Sequence, residues 1–298
     1  MGAENYFFAQ GDRLGLLKYI PRALACFWTL VTRRPRLVFA SNPPTFAPLI
    51  VWFYCLLFNA RYCMDSHTSA FDRVRWLRLM PLHGFLARRA IWAATTNDEL
   101  TDRVTAMGAP GISVTDIPFE FPPATYPVKG DFSVVVVSSF DDDEPVAETF
   151  EAARRVSDVT FYVTGNPAKA SEELRALCPE NVVLTGYLSN EDYIGLLRSV
   201  SAIMVLTTND LTMQRGGSEA ISVERPLITS DFQMLRDVFY KGTVHVDNSP
   251  DQIADAISQI RGNLARYESE MIEMKQERDE RWTALRTELL GRIEAELK

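Results

Sequence analysis

VLTTNDLTMQRGGSEAISVERPLITSD, residues 205 to 231, changes character several times within a short span. Val205 and Leu206 close an apolar, β-forming run that begins at Ala202, and a polar loop follows. Then come Gly216 and Gly217, a helical stretch opened by Ser218 and Glu219, and, after Pro226, a second strand-like run. Strand, loop, helix and strand in that order form the repeating unit of a parallel α/β sheet. Gly216 and Gly217 carry no Cβ, so their backbone N–H groups are expected to approach a ligand closely. A helix opened by Ser218 and Glu219 then offers a positive end suited to a diphosphate. Glu219, one turn along, is placed to accept hydrogen bonds from ribose hydroxyls, and Arg215 offers a fork for phosphate oxygens. The same residues also read as a plain turn, a capping carboxylate and a surface arginine, and the residues alone leave both readings open.

Outward from this unit the alternation continues. Strands are expected at Ser133–Ser138, Thr160–Thr164, Val182–Thr185, Ala202–Leu206, Leu227–Thr229 and Thr243–Val246, with helices between them and a charged helical tail from Leu264. The first half repeats the pattern, with strands at Tyr6–Ala9, Leu37–Ala40, Arg61–Asp65, Ile91–Thr95 and Ser113–Ile117. Its helices are expected at Leu14–Thr32, Phe46–Phe58, Arg75–Arg89 and Asp98–Met107. FEFPPATYPVKG, residues 119–130, holds three prolines and a glycine without periodicity and reads as a linker. The expected division is therefore 1–125 and 126–280, each a Rossmann-like domain. Residues 281–298 form a last helix returning to the first domain, with Trp282, Leu285 and Leu289 as its apolar anchor.

Bulk composition narrows the function. An apolar share of 47% and a charged share of 23% are those of a soluble globular chain. Residues 1–125 hold 13 Lys and Arg against 9 Asp and Glu, a net of +4; residues 126–298 hold 18 against 30, a net of −12. So acidic a second half argues against nucleic acid as a partner. The basic first half suits a peripheral contact with an anionic membrane. FAPLIVWFYCLLF, Phe46 to Phe58, is shorter than the roughly 20 residues a spanning helix needs and reads as a buried or interfacial helix. No signal peptide is expected, and four scattered cysteines suit reduced thiols in a cytoplasmic protein, at most at the inner face of the membrane.

The GGSEA…RPLITSD segment resembles the family-4 glycosyltransferases (glycosyl transferases group 1). The order around it agrees: a strand ending in Thr164 and Gly165, then NVVLTGYLSNEDY, then the strand ending at Leu206. The resemblance implies a GT-B fold, two Rossmann-like α/β domains with helix-flanked parallel sheets and a cleft between them. It places Thr185, Gly186 and Tyr187 beside the nucleotide base and gives Glu219 a role at the donor. It also implies that His67, just past the strand RYCMD, faces the transferred sugar or acceptor, with Asp65 orienting its ring. Two positions depart from the family. Leu211 stands where a first glutamate is common, with Asp210 one position away. The loop SSFDDDEP, Ser138–Pro145, lacks the usual Arg and Lys. The opening βα unit of the first domain also has no counterpart.

The expected activity is transfer of a sugar from a nucleotide-diphosphate donor to a glycan or lipid-linked acceptor. Retention of configuration is implied, with no metal and no cofactor besides the donor substrate. Two alternatives stay open: a non-catalytic GT-B subunit that meets a protein partner at the N-terminal sheet edge, and a sugar-nucleotide epimerase.

Overall fold

Runs that are apolar on both faces, such as Ser133–Val136 and Ala202–Val205, become central parallel strands covered by helices on each side. The structure, a computed structural model, describes residues 4–5, 19–115 and 117–298. The chain divides into two units, Met1–Thr115 with Leu285–Lys298, and Asp116–Ala284.

Unit 1 runs α1 (Tyr19–Arg33), β1 (Leu37–Asn42), α2 (Phe46–Phe58), β2 (Arg61–Ser66), α3 (Ser69–Asp72), α4 (Val74–Leu77), α5 (Met80–Ala87), β3 (Ala93–Thr95), α6 (Asp98–Ala106) and β4 (Gly111–Ser113). Among the described residues its sheet has four parallel strands in the order β1-β2-β3-β4. The expected strand Tyr6–Ala9 lies outside the described residues, as does the start of the expected helix Leu14–Thr32. The helix expected over Arg75–Arg89 is interrupted: α4 ends at Leu77, Arg78 and Leu79 form a turn, and α5 starts afresh with a proline in its first turn. Asn97 caps α6 by accepting from the Leu100 N–H at 2.9 Å. The core gathers Tyr54, Met64, Leu86 and Leu100, and the Tyr62 hydroxyl donates to the Leu86 carbonyl at 2.6 Å.

Unit 2 runs β5 (Ser133–Val136), α7 (Val146–Arg155), β6 (Thr160–Thr164), α8 (Glu172–Ala176), β7 (Val182–Gly186), α9 (Asn190–Ser199), β8 (Ala202–Val205), α10 (Arg215–Ser222), β9 (Leu227–Ser230), α11 (Gln233–Val238), β10 (Thr243–Val246), α12 (Pro250–Gly262) and α13 (Leu264–Glu296). Its six parallel strands lie in the order β10-β9-β8-β5-β6-β7. Alternate residues feed two cores. Val134, Val136, Phe161 and Met204 meet Phe150 of α7 and Ile253 and Ile257 of α12. Val135, Tyr162, Ile203 and Val205 meet Leu196 of α9, Ala220 of α10, and Leu235 and Phe239 in and after α11.

The proline-rich stretch 119–130 is no free tether. Arg198 donates to the Phe121 carbonyl at 2.9 Å, the Tyr126 N–H donates to Ser199 and the Lys129 N–H to Tyr162. A Cβ on Gly195 would stand 2.6 Å from the Thr125 carbonyl oxygen. These ties place the segment in unit 2, so the division falls before it rather than at residue 125. Helix α13 buries Met271 and Met274 in unit 2, while its end lies with unit 1, where Ile293 packs with Cys63, Trp92 and Ile112. Leu289 joins that cluster, Leu285 and Trp282 are half-buried, and Glu296 accepts from Arg61 at 3.1 Å.

Candidate donor site

The strand order of unit 2 decides where to look. The chain lays down β5, β6 and β7 in one direction, then returns to place β8, β9 and β10 on the other side of β5. Open parallel sheets bind ligands outside the carboxyl ends of the strands where the order reverses, here between β5 and β8.

Helix α10 begins at that point, pressed onto both strands. A Cβ on Gly216 would lie 2.7 Å from Val205 and 3.1 Å from Val137; one on Gly217 would lie 2.6 Å from the Phe239 ring. The lack of a Cβ at both glycines therefore lets the helix pack closely on the sheet. The expected helix start is corrected: α10 opens at Arg215, not at Ser218, because both glycines belong to its first turn. Ser218 faces another way and accepts from Arg278 of α13 at 3.3 Å. A recess on that flank, between Ser218, Ser222 and Arg278, is about the size of one water.

Glu219 is only 4% exposed. One carboxylate oxygen accepts from Arg215 Nε at 2.9 Å and the other from the Tyr193 hydroxyl of α9 at 2.5 Å. Burial, followed by the charge of Glu219, pushes the Tyr193 phenol far above its usual range, so it stays a donor. Arg215 itself is 75% exposed and stands 5.2 Å from the ring centroid of Phe119, which stacks on Phe121. The arrangement is a buried carboxylate with one exposed cationic partner, held at the switch point.

The loop after β5 closes the other side. Glu144 turns back into it and accepts from the Ser138 hydroxyl at 2.5 Å, the Ser139 N–H at 3.0 Å and the Phe140 N–H at 2.9 Å. Asp143 does not cap α7; it accepts from the Thr207 hydroxyl beyond β8 at 3.0 Å. Thr207, Ser230 and Asn248 continue this network across the ends of β8, β9 and β10. Thr164 accepts from the Ser138 N–H at 3.1 Å, and Gly165, at φ +92°, lies where a Cβ would collide with the Ser138 carbonyl. Lys169 reaches Asp141 at 3.0 Å; that hydrogen bond raises its pKa, with smaller contributions from Tyr187 and Glu144.

Residues 131–263, which contain this whole constellation apart from Phe119, Phe121 and Arg278, match the family model described as glycosyl transferases group 1. They form a group 1 glycosyl transferase domain. Many solved structures share the fold, among them the following three. The HepE protein of Anabaena, in complex with UDP, superposes with a TM-score of 0.72 at 11% identity, covering 95% of this chain and 85% of that one. The sucrose-phosphate synthase of Thermosynechococcus elongatus gives 0.69 at 16%, covering 95% and 80%. A UDP-N-acetylglucosamine 2-epimerase described as putative, from Listeria monocytogenes, gives 0.63 at 12%, covering 90% and 76%. No curated protein matches in sequence. Two helix-flanked parallel-sheet units make this the GT-B fold, which transferases and that epimerase share.

At the edge of the group 1 domain, β7 ends in Gly186 at φ +69°, and Tyr187 stands 80% exposed. Glu219, Arg215 and the ends of β5 and β8 come together around α10, while Thr164 and Gly165 serve the β5 loop. His67 belongs to unit 1: it follows β2, its N–H donates to the Asn42 carbonyl, and its ring lies 3.3 Å from Asp65. The Asp65 hydrogen bond raises its pKa. Asp210, the neighbour of the absent first glutamate, sits exposed in a turn. Tyr193, Lys169 and Glu144 were not singled out from the sequence; nothing in NEDY, NPAKA or DDDE distinguishes them from surface residues. Among the described residues no group of His, Cys, Asp and Glu is disposed to hold a metal ion.

Proposed function

We propose that the protein transfers a sugar from a nucleoside-diphosphate donor to an acceptor hydroxyl, with retention of configuration and without an obligatory metal. The observation that carries this is the buried Glu219 at the switch point of a group 1 domain, its two oxygens held by Arg215 and Tyr193. Ribose hydroxyls would take the place of one of these donors on the carboxylate. Tyr187, exposed beyond Gly186, would lie against the base, and HepE's complex with UDP makes uridine the first base to try. The bond from the anomeric carbon to the diphosphate breaks and one to the acceptor oxygen forms. Charge then grows on the diphosphate, where the first turn of α10 and the released Arg215 oppose it. His67, oriented by Asp65, would contact the sugar or acceptor. The acceptor is a glycan or a lipid-linked saccharide, and the setting is polysaccharide or glycolipid assembly at the cytoplasmic side of a membrane.

One observation favours a second reading, a non-catalytic GT-B subunit with a protein partner at the first-unit sheet edge. The N–H groups of Ser139 and Phe140, at the end of β5, are already occupied by Glu144, and Lys169 is tied to Asp141. Calorimetric titration of the full chain with a panel of nucleotide sugars separates the two. Binding, followed by free nucleotide on addition of acceptor, supports the transferase; absence of binding across the panel overturns it in favour of the subunit.

A further inference from the structure

Helix α1 carries Ile20, Leu24 and Trp28 at intervals of four, which places them on one stripe. A helix packed on a soluble domain turns such a stripe inward. Here the inward side is taken by Leu30, with Cys26 and Phe27 packed against the same core, and the stripe stays out: Ile20 is 56% exposed, Leu24 67% and Trp28 70%. Helix α2 is apolar all round and continues the face with Phe53, Leu56 and Leu57 exposed. The rings of Phe27 and Phe53, 5.9 Å apart, join the two helices along it.

The charges carried by the two helices and the residues that flank them have one sign. Residues 19–64 contain five arginines (Arg22, Arg33, Arg34, Arg36 and Arg61) and no Asp, Glu or Lys, in a chain whose net charge is −8. The acidic groups that reach them come from elsewhere: Glu4 lies 4.0 Å from Arg33, and Glu296 3.1 Å from Arg61. A second copy of the chain docked here by a twofold axis would set this arginine-bearing surface against itself. An anionic bilayer complements it, with apolar side chains entering the acyl boundary, Trp28 at the headgroup level and arginines on phosphates. Among the described residues neither helix is long enough to span. With 15 and 13 residues they reach about 20 Å, against the roughly 30 Å of a hydrocarbon core. We propose that α1 and α2 of unit 1 form an in-plane docking face for an anionic phospholipid surface. This rests on unit 1 alone and does not depend on the donor reading.

The test is flotation of the full chain with vesicles of phosphatidylcholine alone and with a third phosphatidylglycerol, using wild type and the double variant Leu24→Glu/Trp28→Glu. The expected result is binding roughly tenfold or more tighter to the anionic vesicles. It should weaken with added salt and be lost in the double variant, whose thermal unfolding and nucleotide binding match wild type. Equal binding to both vesicles, or undiminished binding by the double variant, overturns the proposal. So does a wild-type dimer in light scattering that the variant converts to monomer while neither binds vesicles; the face is then a self-association surface. If the double variant unfolds, Leu57→Glu with Leu56→Glu replaces it under the same criteria.

Discussion

At the strand ends the two units treat polar groups in opposite ways. In unit 2, Thr164, Thr207, Ser230 and Asn248 sit at the carboxyl ends of β6, β8, β9 and β10, and each is hydrogen-bonded to a neighbour. In unit 1, Asn42 ends β1, Ser66 ends β2 and His83 of α5 lies 3.1 Å from the Asn42 amide, all three at most 1% exposed. Yet Asn42 Oδ1, Ser66 Oγ and His83 Nε2 have no partner among the described residues. Buried polar groups left unpaired cost free energy, so unit 1 gives up stability where unit 2 gains it. Unit 2 has a hydrogen-bonded frame around α10; unit 1 has an apolar face outside and unpaired polar groups inside.

The largest expected effect follows from His83. Burial holds its pKa at about 4, below the usual 6.5, so the folded ring stays neutral where the unfolded one takes up a proton. Its contribution is complete above pH 6.5 and is lost as the pH falls towards 4, an effect of about 3 kcal/mol. Amide exchange at pH 5 should therefore open unit 1 before unit 2, and His83→Gln should flatten that pH dependence. Equal acid sensitivity of both units, or an unchanged slope in His83→Gln, breaks the comparison.

Next comes Gly217→Ala in unit 2. The added methyl meets the Phe239 ring at 2.6 Å, and overpacking of this kind costs about 1–3 kcal/mol. Thermal unfolding should show that loss in unit 2. A neutral substitution would mean that α10 is free to shift and that the frame is looser than its contacts imply.

The smallest effect sharpens the unit 1 side. Asp65→Asn removes the carboxylate that raises the His67 pKa, so the His67 titration followed by NMR should move to lower pH. An unmoved midpoint would show that Asp65 does not hold the ring.

The same contrast explains what the sequence disclosed. In unit 2 the strands were legible because each is a short apolar run bounded by turn residues, as in Thr160–Thr164 and Thr243–Val246. The start of α10 was not, since Gly216 and Gly217 look like a turn until Val205 and Phe239 are seen against them. Glu219 and Arg215 stood out by their place in the βα unit. Their partner Tyr193 is 26 residues from Glu219, and only the packing of α9 beside α10 brings it there. In unit 1, a turn at Arg78 and Leu79 precedes Pro81 in the first turn of α5, so the apparent helix over 75–89 is divided. Prolines marked 119–130 as irregular, but its attachment to α9 depends on Arg198, Ser199 and Gly195, which no local pattern relates to it.

The donor site in unit 2 is the central claim, and Glu219→Gln tests it most directly. Calorimetric titration with UDP, or with whichever nucleotide the wild type prefers, should show binding weakened by about 1.5–3 kcal/mol in Glu219→Gln. His83→Gln, a unit 1 change, should bind as wild type does. Wild-type affinity in Glu219→Gln would contradict the account and remove the carboxylate from the site.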